Sequence, residues 1–128
     1  MKALLDTNAF LWLDDRPEQL GDVAETLADA DTDLLVSAVV SWEIAIKFAL
    51  GRLQLRLAPE RLVPEAIRLM GAQPIAIEHR DALGVAALPP IHGDPFDRLL
   101  VAQAIAYGAT LVTADRRLAE YPVQTLLV

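Results

Sequence analysis

Along the chain, short apolar runs alternate with longer stretches in which apolar residues recur at helical spacing. KALLD (2–6) is a strand-like run that stops at an acid, and TNAFLWL after it has helical spacing. PEQLGDVAETLADA (17–30) opens on proline and acids and predicts a second helix. DLLVS (33–37) predicts a buried strand whose Ser37 caps the next helix. AVVSWEIAIKFALGRL (38–53) is a long helical pattern closing near Gly51, apolar nearly all round and therefore expected to be buried. PERLVPEAIRLMGA (59–72) predicts another helix, with Pro64 a candidate break and Gly71 a natural stop. QPIAIE (73–78) predicts a third strand, and HRDALGVAALPP (79–90) a helix ended by its prolines. HGDPFDRLLVAQA starts a helix that runs to about Tyr107 and stops at Gly108. ATLVTAD (109–115) is a fourth strand, RRLAEYP a helical turn, and VQTLLV a terminal strand.

This alternation predicts an α/β protein, with parallel strands and helices on both faces of the sheet. No repeat, linker or low-complexity tract interrupts residues 1–128, so a single domain is expected. Composition adds three points. Hydrophobic residues make up 54% and aromatic residues only 5%, so the core must be mainly aliphatic. The absence of cysteine excludes disulfides, thiolate metal sites and a cysteine nucleophile. Asp6 comes too early for a signal peptide, and no uncharged apolar run approaches the ~20 residues of a membrane span. A soluble, cytoplasmic protein without a membrane partner is expected. The net charge of −7 argues against a basic nucleic-acid surface, which moves attention to where the acids lie.

Asp6 ends the first strand and Asp115 the fourth, while Asp94 and Asp97 begin the helix that feeds the fourth. In a parallel sheet the carboxyl ends of the strands share one edge, where ligand crevices form. Each aspartate taken alone has an ordinary reading as a helix N-cap. Glu43 is more informative, because on a helical projection it lies among Val39, Val40, Ile46 and Leu50. A carboxylate on an apolar side requires a positive partner, and both Lys47 at i+4 and a metal ion meet that need. Taken jointly, an all-oxygen cluster suits Mg²⁺ or Mn²⁺, and with such ions the natural chemistry is phosphodiester hydrolysis by metal-activated water.

Four segments carry a resemblance: LLDTN (4–8), SAVVSWEIAIKFALGRL (37–53), LPPIHGDPFDRLLVAQA (88–104) and LVTADRRL (111–118). In order and spacing they resemble the PIN-domain ribonucleases, and more narrowly the VapC-type toxins of bacterial toxin–antitoxin pairs. The resemblance implies a three-layer α/β/α fold around a mostly parallel sheet of about four to five strands. It also implies an endoribonuclease dependent on one or two Mg²⁺ or Mn²⁺ ions, leaving a 5′-phosphate and a 3′-hydroxyl. Matched residue by residue, the catalytic and metal-binding acids are Asp6, Glu43, Asp97 and Asp115. A cognate antitoxin that covers the groove beside the acids is implied too, as are homodimers or toxin–antitoxin hetero-oligomers. The one departure is Gly93, where similar sequences often carry a basic residue.

Secondary roles come from position. Asp94 is expected as the N-cap before Pro95, with a supporting role at the site as the lesser alternative. Thr7 and Asn8 either orient Asp6, touch RNA or cap the first helix, and Thr113 either supports the site through its hydroxyl or is simply a strand residue. Lys47 and Arg98 are expected to neutralise the cluster, Arg98 being placed to hold an acid or a phosphate. His92 is expected to be a loop residue rather than a catalytic base, Trp12 and Trp42 core residues rather than RNA-stacking platforms, and Arg116 and Arg117 a solvated face, with phosphate contact as their lesser alternative. The rival readings are a PIN-like domain that binds metal and a partner without catalysis, a Mg²⁺-dependent phosphatase, and a phospho-receiver module. The phosphatase chemistry asks for a second acid where Asn8 stands, and the receiver for an acidic pair at the first strand end.

Overall fold

The computed structural model describes residues 1–128. Its strands are β1 (Lys2–Leu5), β2 (Asp33–Ser37), β3 (Gln73–Ile75), β4 (Thr110–Thr113) and β5 (Thr125–Leu127). They form one sheet in the order β3-β2-β1-β4-β5, and every neighbouring pair is parallel. The helices are α1 (Thr7–Asp15), α2 (Val23–Ala28), α3 (Ala38–Ala49), α4 (Pro59–Leu69), α5 (His79–Gly84) and α6 (Pro95–Tyr107). From β1 to β3 the chain steps outward in one direction, and α5 and α6 return it past β1 to β4. Right-handed crossovers therefore put the two helix sets on opposite faces, giving the three-layer α/β/α arrangement. The direction of stepping reverses between β1 and β4, which is where a crevice opens in such sheets.

The core is aliphatic as the composition requires. Leu4, Leu5, Val36, Leu111 and Val112 of the central strands are shut off from solvent, and Phe10 is the largest side chain buried among them. No helix is long and apolar enough to cross a membrane.

Several boundaries differ from the sequence reading, each for a physical reason. The helix expected over 17–30 breaks into a 3₁₀ turn (Pro17–Leu20) and α2, because Gly21 takes a φ of +55°. Pro64 does not split α4; the carbonyl that it leaves without a donor is that of Glu60, an exposed residue whose carbonyl water can reach. The third strand is half the expected length. Pro74 is tolerated because β3 is an edge strand, and by Ala76 the chain has turned towards α5. The helix expected over 79–90 ends at Gly84 and continues only as a 3₁₀ turn, Val85–Ala87. The expectation that α3 is buried all round fails: Trp42, Ile46 and Phe48, and Leu50 at its C-cap, are exposed, so the core covers the helix only in part.

One buried polar junction joins the layers. Gln103, fully buried in the middle of α6, accepts a short hydrogen bond from the Ser37 hydroxyl. Its amide nitrogen donates to the Ala76 carbonyl and to Asp81 Oδ2, both at 3.1 Å. Ser37 in turn caps α3 by accepting from Val39 N–H, and Asp81 Oδ2 accepts Glu78 N–H at 2.9 Å. Asp81 Oδ1 is buried with no hydrogen-bond partner, so this carboxylate has no reserve of solvation.

Gln103→Leu fills the same space but strips donors from Asp81 and Ala76 and an acceptor from Ser37. The variant is expected to lose about 2–4 kcal/mol of stability. Urea denaturation checks this as a lower midpoint at unchanged slope.

Candidate metal centre

At the carboxyl edge of β1 and β4 lies a cavity of about 210 Å³ that no hydrophobic side chain lines. Its wall holds the carboxylates of Asp6, Glu43, Asp94, Asp97 and Asp115 against the two cations Lys47 and Arg117. Thr7, Asn8 and His92 complete it.

Asp6 follows β1 directly, and its N–H extends the ladder to Val112 O at 3.0 Å. It caps α1 through Oδ1, which accepts Ala9 N–H at 2.8 Å. Burial raises its pKa, opposed by hydrogen bonds from the Thr113 hydroxyl and Ala9, while Glu43 and Asp115 push it up further. Thr113, the last residue of β4, also accepts Asp115 N–H on Oγ1 at 3.0 Å. One hydroxyl thus links the two strand-end acids.

Glu43 enters from α3 and is 5% exposed. Thr7 Oγ1 donates to its Oε1 at 2.6 Å, and Lys47 pairs with Oε2 in a short contact that raises the lysine pKa. The two partners considered for Glu43 are therefore not exclusive, since Lys47 holds one oxygen while both residues face the cavity.

Asp94 is the N-cap of α6, accepting Phe96 N–H at 2.8 Å and Asp97 N–H at 3.3 Å on Oδ1. Asp97, one turn in, is pushed up to about 7, first by burial and then by the charges of Asp94, Asp6 and Glu43. Asp115 goes the other way. Held chiefly by the Arg117 guanidinium, with Nε at 3.2 Å from Oδ1 and Nη2 at 3.0 Å from Oδ2, its carboxyl falls to about 2.

Most of the residues singled out in the sequence come together here, and Arg98 does not. Its guanidinium donates to the carbonyls of Pro89 (2.9 Å) and Val85 (3.2 Å) and to the Tyr121 hydroxyl (3.0 Å), away from the acids. His92 lies on a loop and Arg117 is exposed, as expected, but both also line the cavity. His92 Nε2 is 2.8 Å from Asp115 Oδ2 and 3.6 Å from Asp97 Oδ2. The signal available for it was its place on the short loop just before a capped acidic helix start. Trp12 packs against the core as expected, but Trp42 is half exposed and meets Phe96 edge-on at 4.8 Å between centroids.

Five carboxylates facing two cations leave an excess of negative charge in a cavity lined by oxygen and nitrogen. The pKa values of Asp6 and Asp97 are raised, first by burial and further by the neighbouring carboxylates. A hard divalent cation fits such a donor set.

Comparison with known proteins agrees with this architecture. The family model described as PIN domain matches residues 3–124. Ribonuclease VapC22 of Mycobacterium tuberculosis is 34% identical over 118 residues, covering 90% of this chain and 88% of the relative. Among solved structures, VapBC2 from Rickettsia felis bound to a DNA fragment from its promoter is similar with a TM-score of 0.72 at 20% identity, over 100% of this chain and 99% of that one. DNA-bound VapBC from Salmonella typhimurium gives 0.66 at 17% identity, over 98% and 97% of the two chains. At these identities the structures speak for the fold.

The crowding of charge has a measurable consequence. Asp97 has a folded pKa near 7 against an ordinary 3.8, so between those values the native state binds the extra proton. Stability contributed at low pH is therefore lost as pH rises through this window. Without divalent cations, Asp97→Asn is expected to be more stable than the parent protein at pH 8, by on the order of 2 kcal/mol after screening. The gap should close towards pH 4. Thermal denaturation in EDTA at the two pH values measures it, and a variant less stable than the parent at pH 8 contradicts the cause given.

Proposed function

The chain belongs to the PIN-domain family, within its VapC group, and from that premise we propose that it is a divalent-metal-dependent endoribonuclease, the toxin of a toxin–antitoxin pair. The observation that carries the reading is the convergence of Asp6, Glu43, Asp97 and Asp115 from separate elements on one polar cavity. These four carboxylates hold Mg²⁺ or Mn²⁺, as one or two ions. When bound, the cation supplies Lewis-acid activation of water and neutralises charge on the phosphate.

The chain's own residues do the rest. Asp6 and Asp115 end adjacent strands, so their spacing is set by the sheet register, and Thr113 bonds to both. Thr7 fixes one oxygen of Glu43. Lys47 and Arg117 neutralise part of the cluster when no cation is present; Lys47 is half exposed and Arg117 largely so, and both can turn to meet backbone phosphates of RNA. Asn8, on the cavity wall, offers an amide to the substrate. Cleavage leaves a 5′-phosphate and a 3′-hydroxyl, and RNA as substrate puts the activity in the cytoplasm.

The partner reading rests on the apolar side chains that α3 leaves exposed. Trp42, Ile46, Phe48 and Leu50 lie exposed along it, and a groove of about 340 Å³ runs between α3 and α4 past Ser41, Ala45 and Val63. An antitoxin segment lays apolar side chains on this surface. The solved neighbours are VapBC assemblies, in keeping with a partner protein on this chain; homodimers within such a complex are part of the same proposal.

Purified protein given RNA with Mg²⁺ or Mn²⁺ is expected to cleave it, EDTA to abolish cleavage, and Asp6→Asn to reduce it to the EDTA level. Cleavage that persists in EDTA overturns the metal-dependent reading. Intact RNA, with a melting temperature that Mn²⁺ still raises, supports the non-catalytic metal-binding alternative instead.

A further inference from the structure

His92 has both ring nitrogens committed, and the commitment fixes where its proton is. The backbone N–H of Asp94 lies 2.9 Å from Nδ1. A backbone N–H only donates, so Nδ1 must be the unprotonated acceptor, and in the neutral ring the proton sits on Nε2. Nε2 faces Asp115 Oδ2 at 2.8 Å and so donates to it.

The loop that carries His92 is held from behind. His92 N–H donates to the Tyr121 hydroxyl at 2.8 Å, and Tyr121 is 3% exposed. Arg98 donates to the same hydroxyl at 3.0 Å while gripping the carbonyls of Pro89 and Val85. The chain of contacts Arg98–Tyr121–His92–Asp115 ties α6 and the 3₁₀ turn (Arg116–Glu120) to the acid between them.

We infer that His92 is a positioning residue: an imidazole whose Nδ1 accepts from Asp94 N–H and whose Nε2–H orients the Asp115 carboxylate by donating to it, and which is not itself a metal ligand. The inference rests on the proposed metal-dependent nuclease. It separates His92 from its neighbours even though its Nε2 and oxygens of Asp97 and Asp115 lie within 4.8 Å of one another, close enough for one ion. Ligation through Nε2 requires that nitrogen's lone pair, so the proton has to move to Nδ1. There it faces the Asp94 N–H, donor against donor, and a hydrogen bond at the start of α6 is lost. Only oxygen is then left to bind the ion, which favours Mg²⁺ and Mn²⁺ over Zn²⁺.

Asp115 needs such a hold because its other side-chain partner is not a fixed one. Arg117 is 62% exposed and draws the carboxylate towards solvent, whereas His92, at 9%, pulls Oδ2 inwards beside Asp97. A guanidinium in water can leave when a cation arrives. The buried imidazole keeps the carboxylate aimed when it does.

The test uses the intact protein. With only two histidines in the chain, imidazole ¹⁵N spectra assign readily against a His79→Gln control. The expected result is Nε2–H with bare Nδ1 for His92, unchanged on adding Mg²⁺. Mn²⁺ affinity, read from the electron-spin-resonance signal of the free ion, is expected to fall about 10–100-fold in His92→Phe. His92→Gln, which keeps an N–H donor, should recover most of it. An Nδ1–H tautomer with Mg²⁺ bound, or parental Mn²⁺ affinity in a folded His92→Phe, overturns the inference. Neither measurement involves RNA. Protein that shows the tautomer and the affinity loss but leaves RNA intact keeps this inference and discards the nuclease, while cleavage with unaltered Mn²⁺ affinity in His92→Phe does the reverse.

Discussion

Like charge gathered at the carboxyl edge of the sheet is the constraint on which the rest of the molecule turns. Asp6 and Glu43 are almost fully buried, and neither is far enough from the other for water to screen them well. A carboxylate in that position survives only with hydrogen bonds or a counter-charge. The fold supplies them locally: Thr7 and Lys47 for Glu43, Thr113 and Ala9 N–H for Asp6, Arg117 and His92 for Asp115. Asp97 receives least, and it is the acid held near neutrality.

Holding several acids in one place needs a frame that does not relax. Two central parallel strands in fixed register provide it, with Leu5 opposite Val112 and the Asp6 N–H bonded to Val112 O. Movement of Asp6 away from Asp115 would break this ladder and disturb a core whose members are closed to solvent. The Gln103 junction acts similarly one layer out, joining the cap of α3 to the end of β3 and the start of α5. Stability invested in the frame offsets the cost of gathering like charge at one edge, a trade commonly met at functional sites.

The sheet and the four acids were legible because each depends on local pattern. Strands such as DLLVS are apolar runs, and Asp6 and Asp115 mark where such runs stop. The failures were those of tertiary context. Periodicity marks α3 as apolar all round but does not reveal that nothing within this chain covers Trp42 or Leu50. Gln103 is a lone polar residue in an apolar helix, a visible anomaly whose partners, Ser37 and Asp81, are remote in sequence. Arg98 and Arg117 exchanged places for the same reason. Charge alone makes Arg98, next to Asp97, the better candidate for the site, yet one position along a helix turns a side chain by about 100°, and Arg98 points at Tyr121 instead.

That turn gives Arg98 a different importance. Its guanidinium holds the loop whose His92 reaches Asp115, so a residue outside the cavity is connected to an acid inside it. The same geometry separates two neighbouring carboxyls: burial and then nearby carboxylates raise Asp97 to about 7, whereas the Arg117 guanidinium lowers Asp115 to about 2. Environments that drive similar groups apart divide labour between them. Asp115 is charged at any physiological pH and ready to attract an ion. Asp97 is half protonated near neutrality, so a cation that draws on its oxygens must displace protons as it binds. Under the proposed metal-dependent reading, ion uptake and proton release would be coupled here, because one acid is buried among like charges and the other is held by an arginine.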